Sequence, residues 1–167
     1  GTKSAELIRS LILKDYFSKS KKDKFDKYTD TLLYLAARNE HVINIIKPAL
    51  DSKKVVICDR FTDSTIAYQV YGKNVNQKFI NNIHNQILGK LKANLTFILK
   101  VSPNSSKKRL QKRKSKNRYD NFSQSFYRKV QKTFLRIGKN RKNYYIFDSS
   151  KNDKFLEKKI FQVVIKH

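Results

Sequence analysis

The sequence predicts an α/β fold with a parallel sheet flanked by helices, and three short apolar runs carry that expectation. They are Val55 to Cys58, Leu95 to Val101 and Tyr144 to Asp148. Each is rich in β-branched or aromatic residues and bounded by polar ones, the pattern of a strand covered on both faces. Between them lie stretches whose apolar residues recur at helical spacing, the alternation a parallel sheet needs.

The helices can be taken in order. Lys3 to Leu13 places Leu7, Ile8, Leu11 and Ile12 on one face. Ser18 to Lys27 is charged and poor in apolar residues, a solvated loop or a flap. Thr29 or Asp30 can cap a long helix reaching about Ile46, where Pro48 kinks or ends it. Its stripe of Leu32, Leu33, Leu35, Ala36, Val42, Ile43, Ile45 and Ile46 suits burial on two sides. Asn76 to Leu88 forms another helix through Phe79, Ile80, Ile83, Ile87 and Leu88, stopped by Gly89. Ser102 and Pro103 start a helix as cap and first residue. Phe122 to Ile137 is amphipathic through Phe126, Val130 and Phe134, with Gly138 ending it. Asp153 to Lys166 is the last helix. No internal repeat or second domain is visible, so residues 1–167 read as one domain with a core of ordinary size.

Composition narrows the classes. Hydrophobic residues make up 39 % of the 167 residues, which excludes disorder by composition. No apolar run is long enough to cross a bilayer, and no secretory-signal pattern precedes the first helix. The single cysteine, Cys58, sits in an apolar run and cannot form an internal disulfide, so a reducing cytoplasm is expected. His41, His84 and His167 are scattered; with one cysteine they make no metal site by spacing, and His84 reads as a bystander. Lys and Arg number 38 against 13 acidic residues, a net charge of +25. That balance raises the prior for a nucleic-acid partner. The abundance of Asn, Ile, Phe, Tyr and Lys, all with A/T-rich codons, offers a second origin for the charge.

The most informative stretch is Val55 to Gly72, VVICDRFTDSTIAYQVYG. Asp59 and Arg60 stand at the carboxyl end of the expected strand, where open α/β sheets bind ligands. A carboxylate there can hold a metal or water, and a guanidinium can fork onto phosphate. Taken alone, the pair reads rather as a surface ion pair. Ser64, Thr65, Tyr68 and Gln69 follow at about one helical turn, so one face of the next helix would present them together. On the long helix Tyr34 and Arg38 are also four apart and share a face.

The string as a whole resembles the thymidylate kinase family, whose members carry D-R-Y/F/H-x-x-S-x-x-A-Y-Q after a buried strand. Here the matching residues are Asp59, Arg60, Phe61, Ser64, Ala67, Tyr68 and Gln69. The segment LLYLAARNEHV followed by IKPAL looks like the one that supplies an aromatic for thymine and an arginine for the monophosphate, with Tyr34 where Phe is usual. The resemblance implies the P-loop nucleoside-monophosphate-kinase architecture. It places a lid at about residues 111–121, where the basic run KKRLQKRKSKNR ends; the D-R-x-E that closes such lids reads Asn117, Arg118, Tyr119, Asp120 here. The D-S-S turn after Asp148 resembles the loop near which adenine is seated. No G-x-x-x-x-G-K-S/T loop occurs, and Gly1-Thr2 looks like the end of the R-E-P-G-G-T motif. The first two strands, the phosphate loop and the first helix of the family are therefore expected to be lacking, and this chain alone to be inactive or nearly so and marginal in stability.

The implied reaction is Mg²⁺-assisted transfer of the ATP γ-phosphoryl group to dTMP, giving dTDP for dTTP synthesis. The resemblance assigns Arg38 and Arg60 to the acceptor phosphate and Tyr34 to stacking on thymine. It assigns Ser64, Thr65 and Gln69 to the base edge or sugar, and Tyr68 to the deoxyribose. Asp59 belongs near the phosphates and, indirectly, the metal; Arg118, with Arg113, closes from the lid onto ATP. A homodimer is implied, and no membrane association. The rival readings are a basic nucleic-acid-binding protein carried by Lys107 to Arg118, and a related nucleotide kinase of other base preference. The first predicts tight, steeply salt-dependent polyanion binding, and the basic run lacks the interleaved aromatics it would need.

Overall fold

A computed structural model describes residues 1–14, 24–112, 117–151 and 153–167. The chain divides into two compact units, Gly1–Leu91 with Asn117–Val130, and Lys92–Lys116 with Gln131–His167.

The first unit is helical. Lys3–Leu13 (α1) is capped by Thr2, whose side chain accepts the Ala5 N–H. Lys27–His41 (α2) is capped by Asp26, one turn before the expected Thr29 or Asp30. Asp30 instead points inward and is 1 % exposed. Helical residues continue past Pro48, which lies in the first turn of the segment that follows. A π-helical stretch, Val42–Ile46, widens the turn before it and leads into Lys47–Asp51 (α3). At the start of a helical segment the N–H that proline lacks is one of the unpaired ones. Thr62–Thr65 (α4) continues as a second π-helical stretch, Ile66–Gly72. Gln77–Leu88 (α5) is capped by Asn76 and closed by Gly89 at φ 57°.

Two clusters hold this unit together. Leu35, Val75 and Ile80 pack with Ile66, Val70, Phe79, Ile83 and Ile87; Val42, Ile46 and Leu88 pack with Val56, Cys58, Phe61 and Leu91. Val55 to Cys58 therefore departs from expectation. It forms no strand and pairs with none among the described residues. Its side chains alternate: Val56 and Cys58 turn to the second cluster, whereas Val55 and Ile57 are 90 % and 95 % exposed. An apolar run is buried on both faces only when layers cover both, and here one face is covered.

The second unit contains the sheet. Thr96–Lys100 (β1) and Tyr144–Asp148 (β2) pair in parallel, Thr96 opposite Tyr144 through Lys100 opposite Asp148. Pro103–Gln111 (α6) starts as anticipated, with Ser102 accepting the Ser105 N–H. Gln124–Lys139 (α7) extends one residue past Gly138, so that glycine is not a terminator. A Cβ there would lie 2.6 Å from Ile98 Cδ1 and 3.1 Å from Ile146 Cδ1, so its bareness lets helix and sheet approach. Phe97, Tyr145 and Phe147 group on the opposite face of the sheet, with ring centroids 5.9 and 6.2 Å apart. Lys154–Ile165 (α8) follows, capped by Asp153. No helix among the described residues is long and apolar enough to cross a membrane.

Candidate active site

Arg38 is the centre of the polar groups in the first unit. It projects from α2 and is held by three acceptors on two other segments. Its Nη1 donates to Thr65 Oγ1 at 2.6 Å and to His84 Nε2 at 2.9 Å, and its Nη2 donates to the Phe61 carbonyl at 3.0 Å. The guanidinium carbon also lies 5.5 Å from the Phe61 ring centroid. All three acceptors are neutral. Burial lowers the Arg38 pKa to about 10, so the group stays a cation at neutral pH. A guanidinium carries five N–H donors. Among the described residues, the Nε–H and one Nη2–H of Arg38 make no hydrogen bond. A half-buried cation with neutral supports and two spare donors suits a bidentate anion.

Arg60 follows the Val55–Cys58 segment, with φ 68°. That left-handed conformation costs a non-glycine residue about 1–2 kcal/mol. It turns the side chain over Tyr68, with the guanidinium carbon 5.2 Å from the ring centroid. Asp59 beside it is exposed. Ser64 is half-buried and its N–H donates to the Phe61 carbonyl at 3.1 Å. Thr65 and Gln69 are buried.

Tyr34, Tyr68 and Gln69 all meet Tyr119. Its ring centroid is 6.2 Å from that of Tyr34 and 5.6 Å from that of Tyr68, both edge-on. Gln69 Nε2 donates to the Tyr119 hydroxyl at 3.4 Å. Burial raises the Tyr34 pKa to about 12, and the adjacent Tyr119 hydroxyl is the partner that the phenol needs. Burial also raises the Tyr119 pKa, so both phenols are neutral.

Arg118 begins a short 3₁₀ turn, Arg118–Asn121, whose N-cap is a reciprocal box between Asn117 and Asp120. The altered D-R-x-E thus keeps a capping role for both flanking residues. Arg118 Nη2 donates to the Asp30 carboxylate, and Lys73 Nζ donates to its other oxygen. One buried carboxylate therefore joins α2, the end of the second π-helical stretch and the Arg118–Asn121 turn. Arg113 lies outside the described residues.

Sequence reasoning missed four contributors: Asp30, Lys73, His84 and Tyr119. Two had a legible signal. Asp30 and His84 each stand at a buried position of an amphipathic helix, where a polar side chain needs a partner. Lys73 had none, because its partner is 43 residues away in sequence.

Comparison with known proteins converges on one family. The family model for thymidylate kinase matches residues 1–160. The thymidylate kinase of Aster yellows witches'-broom phytoplasma (strain AYWB) is 37 % identical over 151 residues, covering 88 % of this chain and 70 % of that protein. That of Wolbachia pipientis subsp. Culex pipiens (strain wPip) is 37 % identical over 169 residues, covering 99 % and 77 %. The crystal structure of thymidylate kinase from Ehrlichia chaffeensis superposes with a TM-score of 0.73 at 28 % identity, over 98 % of this chain and 75 % of that one. With the family model covering most of its length and relatives 37 % identical, the chain belongs to the thymidylate kinase family, the phosphotransferases that use ATP to phosphorylate dTMP.

Proposed function

We propose that the Arg38 and Arg60 region of the first unit is the dTMP acceptor site, and the observation that carries this reading is the pair of unused donors on the half-buried Arg38 guanidinium. Those donors bind two phosphate oxygens, and Arg60, held over Tyr68, supplies the second cation. Tyr34 offers its ring to thymine. Gln69, with Thr65 and Ser64, meets the base edge or sugar, and Tyr68 packs near the deoxyribose, where a 2′-hydroxyl would crowd it. Transfer is then in line from ATP, and catalysis is positioning plus charge neutralisation.

Mg²⁺ takes one or two carboxylates and completes its shell with phosphate and water. Among the described residues no cluster of His, Cys, Asp or Glu could hold a metal alone. We assign Asp59, exposed beside Arg60, to the water shell of such an ion. When bound there, such an ion would supply charge neutralisation for the transferring phosphates. Arg113 and Arg118 are assigned to the ATP side, Arg118 by exchanging the Asp30 carboxylate for phosphate oxygens.

The test compares dTMP with thymidine by calorimetric titration. The phosphate should tighten binding at least about tenfold, and Arg60→Ala should remove most of that gain while leaving thymidine affinity unchanged, a loss of roughly 1.5–3 kcal/mol. Equal affinities for the two ligands in the unaltered protein would remove the assignment.

The same reading includes a homodimer in the cytoplasm, where an unpaired Cys58 is stable. Support for pairing comes from α1 and α2, which pack together yet leave Leu7, Leu11 and Leu32 exposed. Sedimentation should show a dimer that Leu7→Glu with Leu11→Glu dissociates; a monomer at all concentrations in the unaltered protein would count against it.

A further inference from the structure

We propose that His84 is a positioning residue for the acceptor phosphate: by accepting one Nη1–H of Arg38 it fixes the guanidinium plane so that the Nε–H and the remaining Nη2–H face the ligand. The proposal rests on the reading that Arg38 holds the phosphate.

His84 occupies the middle of the buried stripe of α5. Ile80, His84 and Leu88 recur every four residues and are all buried. At such a position an aliphatic residue would satisfy packing alone. The imidazole instead directs Nε2 at Arg38 Nη1, 2.9 Å away. A guanidinium only donates, so Nε2 is the acceptor and the ring proton sits on Nδ1. Burial, then the charge of Arg38, hold the His84 pKa down to about 4, which keeps this arrangement at neutral pH. The charged and ionisable groups that act on the pair are few: Arg38 itself from α2, and Asp63 of α4 and Cys58 through Arg38.

The mechanical argument is simple. Thr65 takes one Nη1–H and the Phe61 carbonyl takes one Nη2–H. Both belong to the α4 region, so they anchor the guanidinium from one segment. His84 anchors it from α5. Removing that contact frees the group to tilt about the remaining two, and a bidentate contact is lost with small misalignment.

The experiment measures dissociation constants for dTMP and thymidine in four proteins: unaltered, His84→Leu, His84→Gln and Arg38→Ala. Glutamine places a side-chain acceptor near the position of Nε2, whereas leucine fills space without one. His84→Leu should weaken dTMP about five- to twentyfold with thymidine unchanged, and His84→Gln should return dTMP affinity to within about twofold. If His84→Leu does not fold, His84→Asn, whose amide is too short to reach Arg38, takes its place with the same expectation. Unchanged dTMP affinity in His84→Leu, beside a clear loss in Arg38→Ala, would overturn the role of His84 and leave the phosphate reading standing. Equal losses for dTMP and thymidine would mean packing alone and would also overturn it. No loss in Arg38→Ala would bring down both.

Discussion

Asp30→Asn should lower the unfolding free energy by about 3–5 kcal/mol, the largest effect expected of any single substitution in this chain. The carboxylate is 1 % exposed and receives donors from both Lys73 and Arg118. Asparagine keeps the volume but removes the charge, and its amide nitrogen would face a cation. Two partly buried cations would then stand together without an anion. Lys73 already feels this: burial lowers its pKa, and Asp30 only partly offsets the cost. Arg118 has a further burden, since its buried Nε has no hydrogen-bond partner among the described residues. The check is urea denaturation of both proteins, with Lys73→Met added to each background. If the pair is coupled, Lys73→Met should cost stability in the unaltered protein and restore part of it in Asp30→Asn. A loss under about 1 kcal/mol for Asp30→Asn would show that the carboxylate holds neither cation firmly.

Arg38→Met should abolish most dTMP binding while leaving the fold nearly as stable as before. Methionine retains the stem's packing and deletes the guanidinium. Two stability terms then oppose each other. The lowered Arg38 pKa, about 10, marks a charge whose burial costs on the order of 3 kcal/mol, and that cost disappears. The Phe61 carbonyl keeps the Ser64 N–H, whereas the Thr65 hydroxyl and His84 Nε2 lose their donor, which costs about 1–3 kcal/mol each where they stay dry. Binding has no such compensation. Losing two charge-assisted hydrogen bonds to phosphate should raise the dissociation constant at least about tenfold to a hundredfold. Calorimetric titration with dTMP, paired with thermal unfolding, separates the two. An unchanged dissociation constant would end the assignment of Arg38, and a collapsed melting temperature would make the guanidinium a structural keystone instead.

The helices were legible because their signals are local. Thr2, Asn76, Ser102 and Asp153 cap the helices that their spacing implied, and Tyr144–Asp148 is a strand over the span read from its apolar run. Where the reading missed, a non-local partner decided. Val55 to Cys58 has the composition of a doubly covered strand, but composition cannot supply the second cover, and Val55 and Ile57 stand in solvent. Gly138 looked like a stop because glycine weakens helices; it is there because Ile98 and Ile146 press against it.

The same division runs through the site. Residue types and spacing alone determined which side chains are available: an arginine and an aromatic one turn apart on α2, and Asp59 to Gln69 as a run whose pattern belongs to one family. Only the tertiary structure decided what each of them meets. It set Arg38 against three neutral acceptors, gathered Tyr34, Tyr68 and Gln69 around Tyr119, and tied Arg118 to Asp30. The physical reason is range. Caps and helical faces are settled within a few residues, whereas the cost of burying a charge depends on groups that the chain brings back from 27, 46 or 88 positions away.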